Sequence, residues 1–172
     1  MKARYIRAMD AVHRACLFIA GASLVVITII IPWGVFTRFV LNSASSWPEP
    51  MAVLLMIWLS FLSAVVCYRE YLHIGVGILP ALLTGAAREI LGFIIEICML
   101  ITNLFMLWWG IKLVNALWHQ SIAEFPIVSA GFSYLPVPIG GLLIVLFVIE
   151  RMWTRVWFQE PTLETTSTIA TE

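Results

Sequence analysis

Four long apolar runs alternate with short segments that hold almost all the charge of this chain. The runs predict four membrane-spanning helices at about residues 15–37, 51–68, 90–111 and 133–151. A helix of about 20 apolar residues crosses the roughly 30 Å hydrocarbon core of a bilayer. We therefore expect an all-α integral membrane protein with four transmembrane helices and short interfacial helices between them.

Composition supports a chain that is almost entirely embedded in the membrane. The 172 residues are 62% hydrophobic and 12% charged, whereas soluble domains carry about 25% charged residues. We expect residues 1–157 to form a single four-helix membrane domain. Residues 158–172 are polar and rich in threonine, and we expect them to be disordered. The net charge of zero gives no reason to expect a nucleic-acid partner.

The first apolar run favours an uncleaved anchor over a cleaved signal peptide. It is longer than the 7–15 residues of a typical signal-peptide core and ends near Arg38 and aromatic residues rather than small ones. Residues 1–14 mix basic and apolar side chains at helical spacing. They fit either a short helix on the cytoplasmic membrane surface or a frayed leader into the first span, and both remain open.

Basic residues are distributed unevenly between the two sides that four spans define. Lys and Arg collect on the cytoplasmic side of membrane proteins. Eight of the ten Lys and Arg residues lie on the side that holds both termini, and Arg38 and Lys112 lie on the other. We therefore expect both termini to be cytoplasmic.

The third span contains an acid, Glu96, about one or two helical turns from the end of the span that we expect to be cytoplasmic. An ionised side chain at the middle of a bilayer costs at least about 2.5 kcal/mol, so such a residue is functional or paired. At helical spacing Glu96 shares a face with Gly92, Asn103 and Gly110. Small and polar residues are typical of helix–helix contacts in membranes. This pattern favours an interhelical bond, and a proton or ion relay is the second reading. From its position near the end of the span, Glu96 could also reach water or Arg88.

The first outer connection contains a cation and an anion at the ends of neighbouring spans. Arg38 ends the first span and Glu49 begins the second. A cation at a helix C-terminus and an anion at an N-terminus both interact favourably with the helix dipole. The two could also pair with each other, and the sequence leaves both readings open.

Residues that would support catalysis or hold a cofactor are not grouped in this sequence. The histidines His13, His73 and His119 are far apart, and the three cysteines form no CxxC pair. Phosphate-binding loops, GxSxG and HExxH motifs are absent. We therefore expect a protein that is not an enzyme, has no metal site and binds no cofactor.

Six residues around the second span form a recognisable pattern: Arg38, Asn42, Trp47, Glu49, Arg69 and His73. An Arg ends the first helix, an Asn follows it, a Trp–acid group opens the second helix, and an Arg and a His follow that helix. This pattern resembles the small membrane subunit (DctQ/SiaQ-like) of tripartite ATP-independent periplasmic (TRAP) transporters. The family often has two adjacent acids after the Trp, whereas Pro50 follows Glu49 here. The resemblance covers roughly residues 10–155.

The resemblance implies a role in secondary active transport across the bacterial inner membrane. In this family a periplasmic binding protein captures an organic acid, such as a dicarboxylate or sialic acid. A large membrane subunit carries it inward, usually by sodium symport, and the small subunit binds and braces the large one. The implied partners are the large subunit, the binding protein in transient contact, and lipid; sodium would be bound in the partner subunit.

The resemblance also implies roles for the motif residues. Arg38 and Glu49 would shape the periplasmic surface near the docked binding protein, and Arg69 and His73 would fix the cytoplasmic turn. The alternative is a small autonomous exporter of the multidrug type. Such exporters have an essential acid in the first helix, whereas Glu96 lies in the third span. A membrane redox or assembly enzyme would need ligands that are missing here.

Overall fold

Four long helices dominate the structure, a computed structural model. It describes residues 2–43, 45–70, 85–122 and 125–154, without the side chains of residues 2, 3, 122 and 125–128. The helices are α1 (Lys2–Phe39), α2 (Pro48–Arg69), α3 (Ala86–Leu117), the short α4 (Ala130–Tyr134) and α5 (Pro136–Thr154). Two short strands, β1 (Ser121–Ile122) and β2 (Phe125–Ser129), pair antiparallel.

The prediction of a helical membrane protein with four spanning helices is confirmed. Four helical segments are long and apolar enough to cross a bilayer; they are Arg4–Phe39, Pro48–Arg69, Ala86–Leu117 and Ala130–Thr154. Each encloses one of the four predicted spans. The predicted polar tail, residues 158–172, and the motif residue His73 lie outside the described residues.

Helix α1 is longer than a bilayer requires. Its 38 residues correspond to about 57 Å at 1.5 Å per residue. Residues 2–14 continue into the first span without a break, so neither a separate surface helix nor a frayed leader is correct. Beyond the end of α1, Asn42 has a φ of 48°. This left-handed conformation is tolerated by Asn because its short polar side chain can bond locally, and it turns the chain towards α2.

The long helices pack in the order α1, α2, α5, α3, so that α1 and α3 are the outer helices of a row. The core lies where α1, α2 and α5 meet. Val65 and Val148 are fully buried there, Phe147 is 1% exposed, and Cys16 and Ala20 of α1 pack against the same cluster. These contacts leave the outward sides of α1 and α3 exposed.

Glycines permit the closest approaches between neighbouring helices. A Cβ atom added to Gly34 of α1 would lie 3.1 Å from Pro48 of α2. One added to Gly110 of α3 would lie 3.0 Å from Pro138 of α5. Because these contacts involve stiff proline rings, a side chain at either glycine would push the helices apart. The row therefore consists of two tightly packed pairs, α1–α2 and α3–α5.

The fourth spanning segment, Ala130–Thr154, consists of two helices that meet at Leu135, where the backbone keeps helical dihedrals (φ −54°, ψ −35°). Helix α4 ends before Leu135, and α5 begins at Pro136, whose ring lacks an N–H group and suits a helix start. Before it, the Ser129 hydroxyl donates to the Trp118 carbonyl at 2.6 Å and accepts from the Gly131 N–H at 3.1 Å. The strand pair and this capped short helix were not predicted from the sequence.

Candidate functional site: an ion-pair cluster joining the four long helices

The four long helices lie side by side, and polar side chains from all of them meet at the end of the molecule that contains the N-terminus. They lie near the start of α1, at the end of α2, within α3 and near the end of α5. We name this group the ion-pair cluster; its members are Asp10, Tyr68, Arg69, Glu96, Glu150 and Arg151.

Glu96 lies at the centre of one half of the cluster, and both its carboxylate oxygens have partners. Its side chain is almost completely buried. The Tyr68 hydroxyl donates to Oε2, and Arg151 Nη1 donates to Oε1 at 3.1 Å. Arg151 also donates to the Tyr68 carbonyl, and its guanidinium carbon lies 4.2 Å from the Tyr68 ring centroid. Three helices, α2, α3 and α5, are therefore joined through one buried charge pair.

Arg69 occupies the centre of the other half. Its Nη1 donates to the Met9 carbonyl at 2.7 Å, and its Nη2 lies 2.5 Å from Asp10 Oδ1 and 3.4 Å from Glu150 Oε1. The guanidinium also stacks over the Phe147 ring, 5.1 Å from its centroid. The planar fork of arginine suits such a set of partners, and it joins α2 to both α1 and α5.

Two further contacts attach the start of α1 to its neighbours. His13 Nε2 lies 3.2 Å from Glu70 Oε1, directly after the end of α2. The Tyr5 hydroxyl donates to the Leu146 carbonyl of α5 at 3.0 Å. The part of α1 that extends past the first predicted span is therefore bonded to both α2 and α5.

Helix α5 contributes two adjacent residues of opposite charge that point to different partners. The Glu150 carboxylate forms an ion pair with Arg69, and the Arg151 guanidinium forms one with Glu96. Removing a charge from water costs several kcal/mol, and this cost is offset only where geometry and additional hydrogen bonds are good. The cluster meets that condition because its guanidinium groups donate both to the carboxylates and to backbone carbonyls. This arrangement suits holding helices together.

A shallow pocket lies beside the cluster. Tyr5, Ile6, Glu150, Trp153 and Thr154 line it, and its volume of about 10 Å³ has space for a single water molecule. Within the described residues, no group of three or more His, Cys, Asp or Glu side chains could hold a metal ion.

Comparison with known proteins decides the family. The profile of the DctQ component of tripartite ATP-independent periplasmic transporters matches residues 27–157, which is most of the chain. The chain belongs to this family. It is therefore a small permease subunit of a TRAP transporter, a transporter component and not an enzyme, and the exporter alternative is not favoured.

Two relatives carry names of the same kind. A Haemophilus influenzae protein named as a TRAP transporter small permease is 27% identical over 147 residues, which cover 86% of this chain and 91% of the relative. The sialic acid TRAP transporter small permease protein SiaQ of Vibrio cholerae is 25% identical over 129 residues, which cover 72% of this chain and 71% of the relative.

The motif residues that suggested the DctQ family lie at opposite ends of the molecule. Arg38 is exposed in the last turn of α1, and Glu49 is exposed in the first turn of α2. Among the described residues, no salt bridge within 4.0 Å joins them, so the pairing alternative is not realised. Asn42 forms the left-handed turn, and Trp47 precedes α2. Arg69 belongs to the ion-pair cluster at the other end.

The four residues singled out on α3 share the buried side of that helix. Gly92, Glu96, Asn103 and Gly110 are all buried. The Asn103 amide donates to the Met99 carbonyl of its own helix at 2.8 Å, and Gly110 contacts Pro138 of α5. Of the four, Glu96 makes side-chain bonds to other helices.

Sequence reasoning missed the partners of Glu96 and Arg69. Asp10, Tyr68, Glu150 and Arg151 were not singled out. A signal was present: Glu150 and Arg151 are adjacent opposite charges at the end of an apolar run, on the same predicted side as Arg69. Residues from four spans that share one membrane side are candidates for mutual pairing.

Proposed function

We propose that this chain braces the large membrane subunit of a TRAP transporter during sodium-driven uptake of an organic acid. A periplasmic binding protein would deliver the acid, and the large subunit would carry it and bind sodium. This subunit would bind no cofactor and would lie in the bacterial inner membrane with both termini in the cytoplasm.

The ion-pair cluster is the observation that carries this proposal. A brace must keep its own helices fixed while a neighbouring domain moves. Breaking a buried ion pair by removing one partner costs about 3–5 kcal/mol. Tyr68 and Arg151 both bond to the buried Glu96 and so connect α2, α3 and α5. Arg69 adds α1 through its contact with the partly exposed Asp10. We therefore expect the four long helices to move as one unit at the end that contains the N-terminus.

The continuity of the helices argues against a conduit within this chain. Substrate and ion sites in transporters lie near the bilayer midplane and are typically formed by broken helices. Helices α1, α2 and α3 run unbroken through their apolar parts. The junction of α4 and α5 at Leu135 keeps helical dihedrals, and the tight contact between Gly110 and Pro138 leaves little space for a solute beside it.

The proposed orientation rests on charge. The ion-pair cluster, the N-terminus and the end of α5 share one side of the row, and most Lys and Arg residues lie on that side. Positive residues favour the cytoplasm. Arg38 and Glu49 would then face the periplasm, where they would contribute to the surface on which the binding protein docks.

The substrate class rests on the relatives. The Vibrio cholerae protein is named for sialic acid, a carboxylic acid, which supports an organic acid as the solute of the present transporter. Sialic acid and dicarboxylates are therefore the first compounds to assay with the binding protein.

Co-purification tests the proposed complex. The tagged chain is expressed with the genes that flank its own, and the membranes are solubilised in mild detergent. We expect a much larger multi-span protein to co-purify in a fixed ratio. Recovery of this chain as a stable, transport-competent protein without such a partner would contradict the proposal.

A further inference from the structure

The outward face of α3 is a continuous apolar surface on one of the two outer helices of the row. Large hydrophobic side chains are exposed along it, among them Ile94, Ile101, Phe105, Trp108 and Trp109. No other part of the described chain covers them, so lipid or another protein must.

One end of this face carries two indole rings and a cation. Lys112 Nζ lies 4.5 Å from the ring centroid of Trp109 and 5.4 Å from that of Trp108. The rings of Phe105 and Trp109 lie 5.9 Å apart. Tryptophan is enriched at membrane–water interfaces, and a lysine near the end of a span extends its charge to the headgroups.

The two sides of α3 differ in the residues they present. The side that packs on the row carries small and polar residues, Gly92, Glu96, Asn103 and Gly110. Small residues that allow close approach and polar residues that bond across helices build helix–helix contacts in membranes. The outward face has large side chains instead, and Thr102 is its one exposed hydroxyl between residues 90 and 111.

Charge indicates what covers the aromatic end of the face. Among the described residues, Lys112 has no carboxylate within 4.0 Å. A headgroup phosphate would complement this cation, and the neighbouring indoles would lie at the level of the lipid esters. A protein docked here would have to bury the lysine against a carboxylate of its own.

We propose that the outward face of α3 contacts phospholipid in the assembled transporter, with Lys112 bound to a headgroup phosphate and Trp108 and Trp109 beside it. This inference rests on the proposed function in one respect, since it describes the subunit within its complex. It leaves the large subunit to dock elsewhere on the row.

A spin label on the outward face tests the lipid contact. The three cysteines are replaced by alanine, and Phe105→Cys carries a nitroxide whose collision rate with oxygen is measured in bilayers. We expect a high rate in the isolated subunit that does not fall in the co-purified complex. Val25→Cys on the outward side of α1 is the matched reference for an exposed label on the other outer helix. A several-fold fall at position 105 upon complex formation would overturn the inference.

A photo-crosslinking amino acid at position 105 of the cysteine-containing chain gives a second reading where the cysteine-free chain folds poorly. We expect adducts with phospholipid, and an adduct with the large subunit would overturn the inference. If no complex forms, the proposed function fails. The label in the isolated subunit then still decides the lipid contact, because shielding from oxygen there contradicts it.

Lys112 variants test the headgroup contact. Native mass spectrometry counts the phospholipid molecules retained by the purified complex. We expect Lys112→Gln to retain fewer and Lys112→Arg to retain the wild-type number. If Lys112→Gln and the wild type retained equal numbers of phospholipid molecules, Lys112 would not be a headgroup-binding residue.

Discussion

Glu96 is the residue whose charge most constrains the rest of the chain. It is almost fully buried, and Tyr68 and Arg151 bond to its two oxygens. With Tyr68 alone or Arg151 alone, one of the two carboxylate oxygens of Glu96 would be buried without a hydrogen-bond donor. The position of Glu96 therefore requires that α2, α3 and α5 assemble together.

Replacing Glu96 tests this requirement. In Glu96→Gln, Arg151 keeps its charge but loses its carboxylate, and removal of one partner of a buried pair costs about 3–5 kcal/mol. We expect a lower unfolding midpoint in detergent and weaker co-purification. Arg151→Gln should behave similarly, and the double variant should lose less than the sum of the two, because residues in contact are coupled.

Glu89→Gln is the matched control, since Glu89 is exposed in the first turn of the same helix. The loss of stability in Glu89→Gln should stay below about 1 kcal/mol, the usual size of a helix-dipole contribution. Equal losses at the two positions would argue against a structural role for Glu96. Normal assembly of Glu96→Gln with lost ion coupling would favour the relay instead.

Arg69 provides a second test at the scale of single residues. Arg69→Lys keeps the charge, but one ammonium cannot reproduce the fork that binds Met9, Asp10 and Glu150. We expect a loss of about 1.5–3 kcal/mol, as for hydrogen bonds to charged groups, and faster proteolysis near the start of α1. Arg38→Lys, at an exposed position, should change neither quantity; similar behaviour of both variants would contradict the role of Arg69.

At the scale of the helices, the close contact between α3 and α5 depends on glycine at position 110, which has no side chain. A Cβ at Gly110 would lie 3.0 Å from Pro138 Cδ and 3.1 Å from its nitrogen. Both atoms belong to the ring of Pro138, which cannot shift unless α5 shifts with it. The closeness of α3 to α5 also places Glu96 within reach of Arg151.

Gly110→Ala should therefore destabilise the isolated subunit by about 1–3 kcal/mol, the usual cost of overpacking. Gly21→Ala is the matched control, because nothing lies within 4 Å of the added atom and alanine favours a helix by up to about 1 kcal/mol. Thermal unfolding in detergent measures both. A stabilising effect of alanine at both positions would show that α3 and α5 are not closely packed.

The sequence predicted the apolar part of each long helix, because about 20 apolar residues have few alternatives to a helix in a bilayer. It did not predict that α1 continues back to Lys2. Periodicity also placed Gly92, Glu96, Asn103 and Gly110 on one face of α3. It could not identify Arg151 as the partner of Glu96, because periodicity defines the faces of one helix and not which helices meet. The strand pair and α4 depend on local bonds of Ser129 that leave no periodic signal.

For the whole molecule, the long helices are held together differently at the end that contains the N-terminus and at the opposite end. At the end with the N-terminus, ion pairs and hydrogen bonds join all four long helices around the buried Glu96 and the mostly buried Arg69. Towards the other end, packing dominates, with Gly34 against Pro48, Gly110 against Pro138, and Trp58 against Phe132 at 5.4 Å. A subunit clamped in this way can support a moving neighbour without changing its own shape.

The central claim is that this chain braces a TRAP transporter and does not itself conduct the solute. Uptake into proteoliposomes under an inward sodium gradient tests it most directly, with a labelled organic acid that the binding protein binds. We predict uptake when this chain, the large subunit and the binding protein are all present, and none with this chain alone. Gradient-driven uptake of the acid by this chain alone would contradict the account.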